Sequence, residues 1–360
     1  MASLESVAPA SWPSQAQSTS DEPATGRRGS RLHSLSEVLE ETDEQLRLGR
    51  TAGARVFPSG FGALDMALSG GFRSGELVLL GGPQGLGKTA MALQMMRNAV
   101  AARRAAVLFS FEHDSHSVLE RLIAVEAAAI AGTEAVNLTK IRQGFEARHS
   151  KAHSLSERFS GTVGGAEAVA ALAGYGDRLH LHTSSGAKTT LEEIHRTVRA
   201  LIERDGTPPL VVVDYLQKVP VSQPTAGEDD RVTVVVEGLK DLALECEVPV
   251  LAIVAAEKGS LAPGTRMRVH DLRGSSALAY EADVVLILND KYDVVAKHHL
   301  VYNLGNAERY RQWVVMSIEK NRSGADHLEL EFQKRFDQGR FEPEGRIVQE
   351  QLVEERVFRE

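Results

Sequence analysis

Gly82-Pro83-Gln84-Gly85-Leu86-Gly87-Lys88-Thr89 fits the pattern G-x-x-x-x-G-K-[ST], and no other stretch constrains the fold as tightly. The apolar run Glu76-Leu77-Val78-Leu79-Leu80 precedes it and the helix-forming Ala90-Met91-Ala92-Leu93-Gln94-Met95-Met96 follows it, so the order is strand, phosphate-binding loop, helix. Gly82, Gly85 and Gly87 let the backbone curl around an anion with successive N–H groups pointing inward, and the helix N-terminus adds partial positive charge. Lys88 is then expected to reach the β- and γ-phosphates, and the Thr89 hydroxyl to ligate Mg²⁺. The whole stretch from Gly82 through Pro83, Gln84, Gly85, Leu86, Gly87 and Lys88 to Thr89 is therefore expected to hold a nucleoside triphosphate, ATP or GTP.

Such a loop needs a sheet behind it. Further strand signals lie at 105–111, 179–183, 210–215, 248–254 and 283–288, with helical patterns between several of them. Continuous Val/Leu runs alternating with helices imply an α/β fold with a mostly parallel sheet covered on both faces. Residues 312–321 and 328–332, around Arg322-Ser323-Gly324, read as an antiparallel hairpin added to that sheet. The Gly/Ala-rich region 145–178 shows no strong element.

Two carboxylates sit where the chemistry needs them. Asp214 closes the apolar run Leu210-Val211-Val212-Val213 and is expected to anchor the metal with Thr89. Glu112 ends the strand after the P-loop helix, and parallel strands deliver their C-terminal ends to one crevice, so Glu112 is expected to orient the attacking water. His113, Asp114 and His116 have no further ligands at metal-binding spacing and read as loop residues.

The remaining sequence bounds the setting. A net charge of −8 excludes a broadly basic nucleic-acid-binding surface, so any DNA contact must be local. The single cysteine, Cys246, reads as a core thiol. No run is long and apolar enough to span a membrane and no signal-peptide layout is present, so a cytoplasmic protein with no membrane partner is expected. Residues 1–33 are rich in Ser, Pro and Ala and cannot offset their ordering entropy, which predicts a disordered tail. Ser34 and Glu37 are spaced as a capping box, and Leu35, Val38, Leu39 and Leu46 recur at helical spacing, which predicts an amphipathic helix over 34–50. The charged segment 344–360 reads as a peripheral helical tail.

Together these residues resemble a known family. The lead-in Gly70-Gly71-Phe72-Arg73-Ser74-Gly75-Glu76-Leu77, the P-loop, Phe109-Ser110-Phe111-Glu112, Ile141-Arg142-Gln143-Gly144, Asp214-Tyr215-Leu216-Gln217, Asp271-Leu272-Arg273 and Glu319-Lys320-Asn321-Arg322-Ser323-Gly324 occur in one order. That order is similar to the C-terminal ATPase domain of DnaB-type replicative helicases, within the RecA-like group that includes RadA and KaiC proteins. The resemblance implies a RecA-like P-loop ATPase domain over 51–343, acting in DNA replication as a ring, expected to be a hexamer, with ATP between subunits. It also implies that Glu112 is the catalytic glutamate, that Asp214 holds the metal, and that Arg322, helped by Lys320, reaches the neighbour's γ-phosphate. The helix at 34–50 matches the linker helix that docks on an adjacent subunit.

The chain also departs from that pattern. No collar domain is recognisable ahead of the helix. Ala255 stands where the family has a phosphate-sensing glutamine, and Glu228-Asp229-Asp230 follow the metal-binding strand. The positive residues near the presumed channel are Lys258, Arg266, Arg268, His270 and Arg273, of which Arg273, Lys258 and Arg268 are expected to contact DNA, with no aromatic residue interleaved. Two readings therefore stand: a DnaB-type motor translocating on single-stranded DNA, and a RecA/KaiC-like regulatory or scaffold ATPase without unwinding activity.

Overall fold

Alternation along each apolar run decides what lies above and below the sheet. The computed structural model describes residues 32–49, 53–148, 152–257, 264–274, 276–301 and 304–354. Its strands are β1 (Val56–Phe57), β2 (Phe72–Arg73), β3 (Leu77–Gly81), β4 (Ala105–Ser110), β5 (Leu179–Thr183), β6 (Pro209–Asp214), β7 (Val250–Ile253), β8 (Val284–Asp290), β9 (Trp313–Asn321), β10 (Leu328–Arg335), β11 (Arg340–Phe341) and β12 (Arg346–Ile347). The helices are α1 (Leu35–Arg47), α2 (Gly62–Ala67), α3 (Lys88–Ala101), α4 (Ser115–Ala131), α5 (Leu138–Glu146), α6 (Leu155–Arg158), α7 (Gly165–Tyr175), α8 (Leu191–Asp205), α9 (Glu228–Glu245), α10 (Ala277–Glu281), α11 (Lys291–Val294), α12 (His298–Val301) and α13 (Leu304–Arg311).

The main sheet runs β11-β10-β9-β8-β3-β7-β6-β4-β5, with β12 paired to β10. Every pairing from β8 to β5 is parallel, and those among β8, β9, β10, β11 and β12 are antiparallel. Successive residues of each central strand face opposite sides. Val78, Leu80, Val212 and Ile253 meet α3 and α4 through Met91, Met95, Met96 and Leu122. Leu77, Leu79, Val211 and Val213 meet α8 and α9 through Ile194, Val198, Val235 and Leu239. This is the doubly covered, mostly parallel sheet with a C-terminal antiparallel hairpin that the apolar runs predict.

Two segments differ from expectation. The Gly/Ala-rich region contains α6 and α7, where no strong element is predicted. Ala168 of α7 is buried with Ala124, Ala127 and Ala128 of α4, so small side chains let the two backbones approach closely. Alanine favours helix strongly but leaves little hydrophobic contrast for a sequence pattern to show.

The C-terminal segment is not helical over 344–354, which corrects that part of the predicted tail; 355–360 lies outside the described residues. Ile347 pairs with Leu330 and Arg346 with Glu331 across from β10. Lys291, 1% exposed, contacts the carboxylates of Glu331 and Glu350, the latter at 2.7 Å, and Glu354 engages Arg268. Those charges have partners distant in sequence, so their spacing along the chain carries no helical meaning. The predicted tail over 1–33 lies outside the described residues except for its last two positions. The predicted amphipathic helix forms as α1, with both hydrogen bonds of the Ser34–Glu37 capping box, and it buries none of its residues.

Candidate nucleotide-binding and hydrolysis site

Glycine is required in the loop for two separate reasons. Gly87, the last residue before α3, has φ of 84° and would place a Cβ 2.9 Å from the rings of Phe336 and Phe341. Gly82, at φ 147°, would press a Cβ to 2.8 Å from the Leu288 carbonyl oxygen. The cradle is thus closed from behind by β8 and by the turn between β10 and β11, and only backbone fits.

In front of the cradle lies a cavity of about 530 Å³, lined by the loop, Glu112, Arg121, Asp214 and Phe336 among others. The Lys88 ammonium donates to the carbonyls of Gly82 at 2.7 Å and Pro83 at 2.9 Å. Burial pushes its pKa down, opposed by the negative charges of Asp214 and Glu112. The Thr89 hydroxyl donates to Asp214 Oδ2 at 2.9 Å, bridging 125 positions of sequence. Burial raises Asp214 to about 6, against the Thr89 hydrogen bond, which favours the carboxylate. Asp214 is 2% exposed, and Glu112, on the neighbouring strand end, is exposed to the cavity.

Lys88, Thr89, Asp214 and Glu112 therefore converge as the sequence predicts. A hydroxyl and a buried carboxylate within hydrogen-bond reach fit a hard divalent cation, and a loop held tight at Gly82 and Gly87, where no Cβ fits, suits a phosphate chain.

Arg121 belongs to no motif that the sequence marks. It projects from α4 into the cavity, its Nε is buried without a hydrogen-bond partner, and burial with the nearby Arg142 charge pushes its pKa down. A desolvated cation with an unpartnered donor suits an anionic ligand. The available signal is an arginine set among the core-facing positions Val118, Leu122 and Val125 of one helix. His113 also lines the cavity, and Asp114 caps α4 through the Ser117 N–H.

Arg322 and Lys320 are not brought to this cavity. The register Val284 with Asn321 sets them beside the start of β8, whereas the P-loop follows the end of β3, where Gly81 aligns with Ile287. Arg322 donates to the Tyr280 carbonyl at 2.6 Å and approaches Asp283 Oδ1 at 3.3 Å, while its side chain stays 50% exposed. Lys320 donates to the carbonyls of Ala279 and Tyr280. The sheet separates them from their own phosphate cradle by roughly 20 Å, the length of a strand of this size.

The predicted DNA track is divided. Arg273 lines the rim of the cavity and pairs with Glu228 at 2.7 Å. Arg268 is held between Glu354 and Glu319, its Nη1 lying 2.7 Å from the latter, and these carboxylates raise its pKa. Lys258 lies outside the described residues. Glu228, Asp229 and Asp230 form the first turn of α9, where the helix dipole favours negative charge.

The profile of the family described as DnaB-like helicase C terminal domain matches residues 57–342. The chain belongs to this DnaB-like family. "Replicative DNA helicase DnaB" of Treponema pallidum is 28% identical over 280 residues, 77% of this chain and 54% of that protein. "Replicative DNA helicase DnaC" of Bacillus subtilis is 25% identical over 287 residues, 78% and 58% of the respective chains. The chain spans about half the length of the curated relatives it matches. Among solved structures, one described as an ATPase domain superposes with a TM-score of 0.68 at 21% identity, covering 86% of this chain and 99% of that one. A DnaB-like replicative helicase, described with its interactions with primase, gives 0.67 at 20% identity, over 86% and 68%. The RecA-like fold of the DnaB-like domain is shared with both. Among the described residues, no helix is long and apolar enough to cross a membrane.

Proposed function

We propose that this DnaB-like domain hydrolyses ATP at the interfaces of a homo-oligomeric ring, a hexamer by analogy with its family, and translocates on single-stranded DNA as a helicase motor in replication. The observation that carries the ATPase reading is the Thr89–Asp214 hydrogen bond across the floor of the glycine cradle. Thr89 and Asp214 would hold Mg²⁺, which supplies charge neutralisation at the β- and γ-phosphates. Lys88 leaves its loop carbonyls to meet the phosphates, a short movement of a flexible side chain. Arg121 offers a second cation from the same chain, and Glu112 orients water for attack. Arg322, with Lys320, completes the site from the adjacent subunit, which its position at the opposite end of the sheet favours. The apolar stripe of α1, with Leu35, Leu39 and Leu46 exposed, suits docking on that same neighbour.

A DNA-independent regulatory ATPase is the second reading, favoured by one feature: Arg273 and Arg268 are both already paired with carboxylates of their own chain. ATP turnover measured with and without single-stranded DNA, at low and physiological salt, separates the two. The motor predicts stimulation that fades with salt. Turnover indifferent to DNA selects the regulator. Lys88→Ala is expected to abolish hydrolysis in either case, and wild-type turnover in that variant would overturn the site.

A further inference from the structure

Arg273 stands between two openings. It lines the nucleotide cavity and also a separate outer recess of about 310 Å³ shared with Thr225, Gly227, Glu228 and Arg231. Its main chain is fixed. The Arg273 N–H donates to the Ala255 carbonyl at 2.9 Å, and its own carbonyl accepts from Gln217 Nε2 at 2.7 Å. Gln217 Oε1 in turn accepts from the Ala255 N–H at 3.1 Å. Reorientation at this position therefore belongs to the side chain alone.

The guanidinium end is held by Glu228 Oε2 at 2.7 Å, and the other carboxylate oxygen lies 3.5 Å from Arg231 Nη2. The side chains of Arg273 and Glu228 are 39% and 36% exposed, so water and ions reach the pair. Glu228 is the largest influence raising the Arg273 pKa, and Glu257, from the segment after β7, adds its charge. Asp230, in the same turn, is turned back onto the Ala226 N–H at 3.1 Å.

We propose that Glu228 is an intramolecular competitor for a nucleic-acid phosphate at Arg273: the carboxylate occupies the guanidinium until a backbone phosphate displaces it. The proposal rests on the single-stranded DNA reading above. Carboxylate and phosphate present similar paired oxygens to a guanidinium, so one replaces the other without moving the arginine. An exposed ion pair is weak enough to be exchanged. The displaced carboxylate then stands near the phosphate and lowers the affinity, so strands that make several other contacts are retained and brief encounters are not.

The test is binding of a fluorescein-labelled oligothymidylate, followed by anisotropy with a non-hydrolysable ATP analogue at low salt. Glu228→Gln is expected to bind about fivefold more tightly than wild type, the scale of one exposed ion pair. Asp229→Asn removes the same charge one residue away, and its gain is expected to be clearly smaller. In an Arg273→Gln background, Glu228→Gln is expected to give no gain, because the competition needs the guanidinium. Equal gains from Glu228→Gln and Asp229→Asn, a gain that survives without Arg273, or weaker binding by Glu228→Gln would overturn the competitor while leaving the DNA motor standing. Absence of binding by wild type and every variant would remove both.

Discussion

Asp214 carries opposite demands on one carboxyl group. Metal binding needs the carboxylate, yet burial raises its pKa from 3.8 to about 6. Without metal the group becomes neutral as pH falls below about 6, and proton and Mg²⁺ compete for it, so at subsaturating Mg²⁺ turnover is expected to fall as pH drops below that value, with a midpoint that moves lower as Mg²⁺ is raised. A pH–rate profile checks this. Stability responds in the opposite sense. The folded protein binds this proton more tightly than the unfolded chain, so the cost of the buried charge is present above pH 6 and relieved as pH falls from 6 towards 4. That difference corresponds to about 3 kcal/mol. Asp214→Asn is therefore expected to raise stability at pH 8 by up to about this amount and to give no gain at pH 4, while abolishing turnover. Urea titrations at the two pH values measure it, and an equal effect at both would show that burial is not the cause.

At the scale of elements, the P-loop helix is tied to the far strand by a reciprocal pair. Gln94 Nε2 donates to the Phe341 carbonyl and Gln94 Oε1 accepts from the Phe341 N–H, both at 2.9 Å. Gln94→Leu leaves the buried Phe341 N–H unpaired and its carbonyl with only the 3.4 Å contact from Arg340 Nη1, and is expected to cost about 1–3 kcal/mol. A urea midpoint unchanged from wild type would show that water or a local shift satisfies both groups. The central strands were legible because parallel strands covered on both faces are apolar throughout, as in Leu77–Leu80 and Leu210–Val213. The four residues of the phosphate site were legible because each sits in or beside a strand end that the sequence marks. Pairings formed across distance were not. Arg268 reads as a free cation until Glu319 and Glu354, 51 and 86 residues away, are folded against it. Arg121 hides in a helix whose interest lies in its neighbours across space, and α7 hides because small residues dominate it, with Gly165 and Ala168 buried beside Tyr175.

For the whole molecule, the decisive feature is that one chain holds its phosphate cradle and its candidate finger at opposite ends of β8. Lys88→Ala and Arg322→Ala are each expected to abolish turnover alone. Mixed, they are expected to recover part of it, because some interfaces pair an intact cradle with an intact Arg322. Absence of recovery in mixtures shown to exchange subunits would mean that Arg322 does not act across the interface. Leu39→Asp, on the exposed stripe of α1, is expected to shift the assembly towards smaller species in light scattering without altering nucleotide affinity. Unchanged assembly would show that α1 docks elsewhere.

The buried lysine has a consequence for where this protein can be cut. The family match ends at residue 342, but Lys291 needs Glu350 and the Leu330 edge needs Ile347. The stretch that the family profile matches is thus shorter than the unit that folds here. A fragment ending there would expose the β10 edge and leave buried Lys291 with Glu331 as its one carboxylate partner, so an expression clone ending near 342 would be a poor source for any of the measurements above.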